Sequence, residues 1–121
     1  MKIRSGFVSN SSSSSFIIAV RSSVTNEDIN AFVENATENI KNFIEGMDYK
    51  SDCMDEIVEE VKQELRNELQ FILMDSSGLL LGDWKVFANE YSNEDGDYYA
   101  FMYDYAQDLS TELFKFKRAG Y

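Results

Sequence analysis

The clearest element of the chain is the stretch numbered 51–74, which reads SDCMDEIVEEVKQELRNELQFILM. Large apolar residues recur there at helical spacing on one face. They are Met54, Ile57, Val58, Val61, Leu65 and Ile72. Ser51 or Asp52 can cap the start of such a helix. The pattern predicts one long amphipathic helix, which has to bury its apolar stripe against another part of the chain.

The residues before this helix predict a strand and another helix. FIIAVRS, residues 16–22, is apolar and rich in β-branched side chains, which favours a short buried strand. Thr25 resembles a helix N-cap, and apolar residues follow it at helical spacing until Gly46, which can end the helix. Residues 46–50 are few enough to turn the chain back, so the two helices are expected to form an antiparallel pair.

The residues after the long helix predict two strands and one ambiguous stretch. In residues 79–92, LLLGDWKVFANEYS, the alternation of Trp84, Val86 and Ala88 with Lys85, Phe87 and Asn89 predicts a strand with large residues on both faces. Residues 98–109, YYAFMYDYAQDL, fit a strand or a helix: their aromatics favour the strand, and their acids and final Ala-Gln-Asp-Leu favour the helix. Residues 112–119, ELFKFKRA, alternate basic and apolar side chains, which predicts a strand with one basic, exposed face.

The predicted order of elements is β-α-α-β-(α or β)-β. Gathering the helices on one side of the strands is the economical packing, so we expect an α+β fold. It comprises a small, mostly antiparallel sheet with an antiparallel helix pair packed on one face. Residues 1–15 are expected to form an irregular, Ser-rich N-terminal segment, and residues 16–121 a single domain. A chain of 121 residues with 44% hydrophobic content can build such a core.

Charge is distributed unevenly along the chain. The net charge is −11, but residues 27–112 hold all 22 acids against five bases, a net of −17. Residues 1–24 and the last nine residues each carry a net of +3. Nucleic acid and anionic membranes would repel so acidic a chain, and therefore the expected partner is a protein with a basic surface. No apolar run approaches the roughly 20 residues of a membrane span, and no secretory signal is visible, so a cytoplasmic location is expected.

Several kinds of chemistry lack the side chains that they require. The chain has no histidine, which excludes Ser-His-Asp and Cys-His catalysis. Cys53 is the single cysteine, so no disulfide can form within the chain. The turn NEDGD, residues 93–97, fails the calcium-loop pattern because Tyr91 and Met102 fall at its positions 1 and 12. We therefore expect no enzyme, no metal site and no cofactor.

The long helix carries an evenly spaced row of acids. Asp52, Glu56, Glu60, Glu64 and Glu68 lie four residues apart, and Asp55 and Glu59 widen the band. Each step of the row advances about 6 Å and rotates by about 40°. The advance is comparable to the spacing of phosphates along one DNA strand. The band fits a DNA-mimicking face that binds basic surfaces, and it also fits the solvated face of an amphipathic helix, which is common.

Tyrosines are concentrated after the long helix. Tyr91, Tyr98 and Tyr99 lie close to one another in sequence, and tyrosine is favoured at protein interfaces. We predict that these three anchor the partner while the acids from Asp52 to Glu68 attract it. The alternatives are that they pack in the core, or that an aromatic face joins copies of the chain into a homo-oligomer.

The N-terminal stretch RSGFVSNSSSSSF carries a run of five serines, Ser11 to Ser15, between apolar residues. Residues 2–17 resemble an N-terminal signature, K-x-R-x-G-F-V-S-N-S-S-S-S-S-F, of small uncharacterised proteins of bacteriophages and bacteria. The resemblance implies a phage-type accessory protein that acts in the cytoplasm of an infected host, and it assigns no chemistry to any residue. We therefore expect a non-enzymatic inhibitor of a host defence or transcription component, with a virion-associated structural protein as the alternative.

Overall fold

The computed structural model describes residues 13–46, 53–74, 79–92 and 96–118. Strands and helices follow one another as the sequence predicts for an α+β fold, and helices pack against one sheet. In chain order they are β1 (Ser13–Arg21), α1 (Asn26–Asn35), α2 (Thr37–Glu45), α3 (Met54–Met74), β2 (Leu79–Leu81), β3 (Trp84–Ser92), α4 (Asp97–Tyr105), a 3-10 turn (Ala106–Leu109) and β4 (Phe114–Arg118).

The four strands form one sheet in the order β2-β3-β1-β4, with every neighbouring pair antiparallel. Alternate residues of the central strand β1 face the helices, and Phe16, Ile18 and Val20 are buried there. In β4 the buried residues are phenylalanines, whereas Lys115 and Lys117 are exposed on the other face. The predicted antiparallel sheet and the predicted basic face of the last strand are both confirmed.

The helix pair is antiparallel, as predicted. Asn30 of α1 accepts a hydrogen bond from Arg66 of α3 (2.9 Å), and one turn later Glu34 reaches back to Lys62 (3.0 Å). The predicted N-cap is confirmed, since the Thr25 hydroxyl accepts from the backbone N–H of α1 in a complete capping box.

The prediction of a single helix over residues 25–46 is wrong in one respect. The helix is interrupted at Ala36, between α1 and α2. The Thr37 hydroxyl donates to the Val33 carbonyl (3.3 Å), a competing bond of the kind that bends helices. Both segments still bury apolar side chains in the common core, including Phe32 in α1 and Phe43 in α2.

The structure decides between helix and strand for residues 98–109, and it divides the single strand predicted within residues 79–92. Residues 97–105 are helical, so the helix alternative for the stretch 98–109 is confirmed. Residues 79–92 form a hairpin rather than one strand, because Gly82 adopts φ 60° and opens a two-residue turn between β2 and β3. Positive φ costs glycine little, which explains its place at the turn.

Part of the serine run belongs to the sheet. Ser13 to Ser15 pair with the end of β3, so the expectation of an irregular segment up to residue 15 is wrong for these three residues. The Ser14 hydroxyl also accepts a hydrogen bond from the Arg118 guanidinium (3.1 Å). Residues 1–12 lie outside the described part of the chain.

The outer edge of β4 is covered by the segment that precedes it. The Ser110 hydroxyl accepts from the Phe116 N–H (2.9 Å) and donates to the Phe116 carbonyl (3.2 Å). The Thr111 N–H donates to the Phe114 carbonyl (2.7 Å), and the Gln107 side chain accepts from the Arg118 N–H (3.3 Å). This strand edge is therefore already paired, which prevents another strand from adding to it.

Candidate functional site

The acidic band lies on the first half of α3. Its exposed members project from the solvent side of the helix, opposite the apolar stripe that includes Val61 and Leu65. They are Asp55, Glu56, Glu59, Glu60 and Glu64. Asp52, which the sequence places at the start of the row, lies outside the described residues. We call these five exposed carboxylates the acidic surface.

The row of acids turns toward the core at its C-terminal end. Each four-residue step rotates the side chain by about 40°, so three steps from Glu56 to Glu68 add up to about 120°. Glu56 is exposed and Glu68 is half-buried between α3 and the sheet. The structure therefore divides the predicted row into an outward acidic surface and one carboxylate with a different environment.

One buried cation offsets part of the acidic surface. The Lys62 side chain is only 8% exposed, and its Nζ lies 3.0 Å from Glu34 and 3.4 Å from Glu59. Burial acts to lower the pKa of Lys62, but its hydrogen bonds and the charges of the two carboxylates together raise it above 10.5. Among the described residues no ion pair compensates the other four carboxylates of the acidic surface.

Removing one partner of Lys62 should destabilise the protein more than removing the lysine itself. We expect Glu34→Gln to lower the free energy of unfolding by about 1–2 kcal/mol, because the buried ammonium loses a charged acceptor. Lys62→Met should cost less than about 1 kcal/mol, since it removes the buried charge and keeps an apolar side chain of similar length. Urea titrations of both variants measure the difference, and a larger loss in Lys62→Met would contradict this account.

Glu68 is the centre of a buried hydrogen-bond cluster. Its Oε1 accepts hydrogen bonds from the hydroxyls of Tyr91 (2.6 Å) and Tyr98, and its Oε2 accepts from the Asn89 side chain. These donors come from β3 and α4, so the carboxylate joins α3 to both elements. The cluster pairs its polar groups with one another, which suits a structural role.

Tyr91 and Tyr98 do not lie where the sequence prediction requires. Tyr91 is 0% exposed and Tyr98 is 3% exposed, so neither ring offers a surface to a partner. Burial, followed by the negative charge of Glu68, raises the pKa of both hydroxyls well above the ordinary value of 10. The prediction that these two tyrosines anchor a partner is therefore corrected in favour of the alternative of core packing.

An open cleft of about 380 Å³ lies beside the acidic surface. The half-buried Tyr99 lines it, together with the rings of Phe71 and Phe87, whose centroids are 5.6 Å apart. Glu64 stands in its wall, and burial and the charges of Glu60 and Asp97 raise the pKa of the Glu64 carboxyl. A lysine or arginine side chain suits this cleft, because its positive charge is attracted both to the carboxylate and to the faces of the aromatic rings.

The sequence did not indicate Phe71 or Phe87 as functional residues. Phe71 falls on the polar side of α3, where a 55% exposed phenylalanine has no place in an ordinary amphipathic pattern. That irregularity is the one signal in the sequence that points to the cleft. Phe87 has no comparable signal, because it occupies a normal inward position of β3.

The other clefts and side-chain clusters give weaker evidence of a functional site. A cleft of about 320 Å³ between α1 and the start of β4 is lined in part by Asp28, which is already engaged in the capping box of α1. In the described ranges, no group of three or more potential ligand side chains is arranged to hold a metal ion. No helix in these ranges is both long and apolar enough to cross a membrane.

Comparisons of the chain with protein-family models, with curated proteins and with solved structures gave no match. The function must therefore be inferred from the exposure, charge and contacts of this chain's own side chains.

Proposed function

We propose that the protein is a non-enzymatic binding protein that covers a basic, nucleic-acid-binding surface of another protein. The observation that carries this proposal is the acidic surface, whose five carboxylates all face solvent along about three turns of one helix. Such a band steers a basic partner into contact and takes the place of nucleic-acid phosphates. The cleft at Tyr99 and Phe71 would then receive a basic side chain of the partner.

In its narrower form, the proposal is that of a phage-type inhibitor, such as an anti-defence protein or DNA mimic, in the cytoplasm of an infected host. The N-terminal resemblance and the net charge of −11 support this form. The lack of histidine and the internal pairing of the Glu68 cluster support binding over catalysis. A structural protein of the virion is the alternative, and it would be found in purified particles.

Affinity capture from expressing or infected cells at low salt tests the proposal. We expect the chain to retain a basic protein, to lose it as salt is raised, and to release it in the presence of short duplex DNA. Reversing Glu56, Glu60 and Glu64 to lysine should weaken association with the captured protein on the order of 100-fold.

A matched variant separates the acidic surface from overall charge. Reversing Asp104, Asp108 and Glu112 to lysine makes the same change in net charge at exposed positions outside α3. This variant should retain the partner to within a few fold. Normal binding by the α3 variant, with its circular dichroism spectrum unchanged, would rule out the proposed function.

A further inference from the structure

In the described part of the chain, exposed apolar side chains flank the edge strand β2 on both faces of the sheet. Five large apolar side chains are more than half exposed there, namely Phe71 (55%), Met74 (79%), Leu79 (59%), Leu80 (59%) and Leu81 (56%). Leu80 lies beside the end of α3, because its pairing partner Lys85 donates a hydrogen bond to the Leu73 carbonyl, whereas Leu79 and Leu81 project from the opposite face of the sheet. We call these five residues the leucine-edge patch.

The edge strand β2 also has backbone groups that point outward. The Ser22 N–H donates to the Asp83 carbonyl (2.7 Å). Hydrogen-bonded and non-hydrogen-bonded pairs alternate between antiparallel strands, so the next pair, Arg21 with Trp84, is a non-hydrogen-bonded pair. The backbone groups of Trp84 therefore point to Leu81, its pair across the turn. Because these groups alternate along a strand, the N–H and C=O of Leu80 point toward the open edge.

We propose that two copies of the chain associate through β2 and the leucine-edge patch to form one continuous eight-stranded antiparallel sheet. Leu80 would lie on the twofold axis and exchange both backbone hydrogen bonds with Leu80 of the second copy. Leu79 then faces Leu81 of the second copy, so both partners bury the same side chains. This self-complementarity is what a closed twofold interface requires.

The size of the patch fits a weak dimer. At roughly 100 Å² for each half-exposed large side chain, the patch covers about 500 Å², toward the upper end for a monomer. Two copies would bury about 1,000 Å², which is the lower limit for a specific interface. Interfaces of this size are typical of weak, transient association, so a dissociation constant on the order of micromolar or weaker is expected.

Charge favours a second copy over the basic partner proposed above. A net charge of −11 makes two copies repel over most of their surface. None of the five residues in the leucine-edge patch is charged, so two copies can approach each other there with less repulsion. A basic surface would lose hydration against leucines without gaining a carboxylate. On α3 the carboxylates of the acidic surface all precede Phe71 by seven or more residues, which is at least about 10 Å along the helix axis. Dimerisation therefore leaves the five carboxylates open, and Phe71, which also lines the cleft beside Tyr99, is the one residue that both surfaces share.

Sedimentation equilibrium of the full chain over a range of concentrations tests the dimer. The mass should rise from 13.9 kDa toward twice that value, 27.8 kDa, as concentration increases. Leu80→Lys should raise the dissociation constant at least about 100-fold, because it opposes two like charges at the axis. Ile17→Lys is the matched control, since Ile17 is 43% exposed on the central strand, and it should dimerise as the wild type does.

Mixing Leu80→Lys with Leu80→Glu should restore a complex of twice the mass, because opposite charges then meet at the axis. A wild type that stays at 13.9 kDa at millimolar concentration, a Leu80→Lys variant that still dimerises, or growth beyond two copies would overturn the proposal. Leu80→Lys should still bind the basic partner, so this inference and the proposed function can fail separately.

Discussion

Replacing Glu68 by alanine is expected to lower the free energy of unfolding by about 3–5 kcal/mol. The change removes the acceptor of two buried tyrosine hydroxyls and of the Asn89 amide. Each buried polar group left without a partner costs about 1–3 kcal/mol. Urea titration measures the loss directly, and the midpoint of thermal unfolding should fall by about 10–20 °C.

Two companion variants isolate the role of the cluster. Glu64→Ala, one turn earlier on the exposed side of α3, should change the free energy of unfolding by less than about 0.5 kcal/mol. Glu68→Gln should lie between the two, because it keeps one acceptor oxygen but turns the other into a donor that faces donors. Equal effects at positions 64 and 68 would show that the buried cluster does not stabilise the fold.

Stability is expected to collapse above about pH 10, with a slope close to 2.7 kcal/mol per pH unit. The pKa values of Tyr91 and Tyr98 are raised in the folded protein, whereas both hydroxyls titrate near 10 in the unfolded chain. Above that pH the unfolded chain binds fewer protons than the folded one, so the free energy of unfolding falls as pH rises. Two tyrosines contribute about 1.4 kcal/mol per unit each.

Below about pH 10 this contribution is fully present, and the raised pKa of Lys62 adds a loss of the same sign at higher pH. Urea titrations from about pH 8 to about pH 11.5 should show the change in slope, and tyrosinate absorbance should report that Tyr91 and Tyr98 ionise with unfolding. Tyr98→Phe should halve the dependence on pH above 10. An unchanged slope in that variant would contradict the assignment.

The helices and strands could be predicted from periodicity because each depends on neighbours in sequence. The apolar stripe of α3 and the alternation in β4 are local patterns, and both elements are where the sequence predicts them. The interruption at Ala36 was missed because neither proline nor glycine marks it. It accompanies a side-chain hydrogen bond from Thr37 that periodicity does not reveal.

The candidate site was only partly predictable. The exposed acids of α3 follow from helical geometry, but the burial of Glu68 depends on what its rotation brings it against. Its partners Tyr91 and Tyr98 are 23 and 30 residues away in sequence. A tyrosine suits both an interface and a core, and only the position of an acceptor across the fold decides between them. The exposure of the leucines of β2 likewise depends on the sheet order, which places them at an edge.

The covered edge of β4 determines how far the sheet could extend. A sheet with two open edges behaves as a bifunctional monomer and can polymerise without limit. In the described part of the chain, Ser110 and Thr111 occupy the outward backbone groups of Phe116 and Phe114, which leaves β2 as the reactive end. Two chains joined at β2 would have a covered β4 edge at each end of the joint sheet. Among the described residues, the segment before β4 would therefore limit the growth of the sheet to two chains.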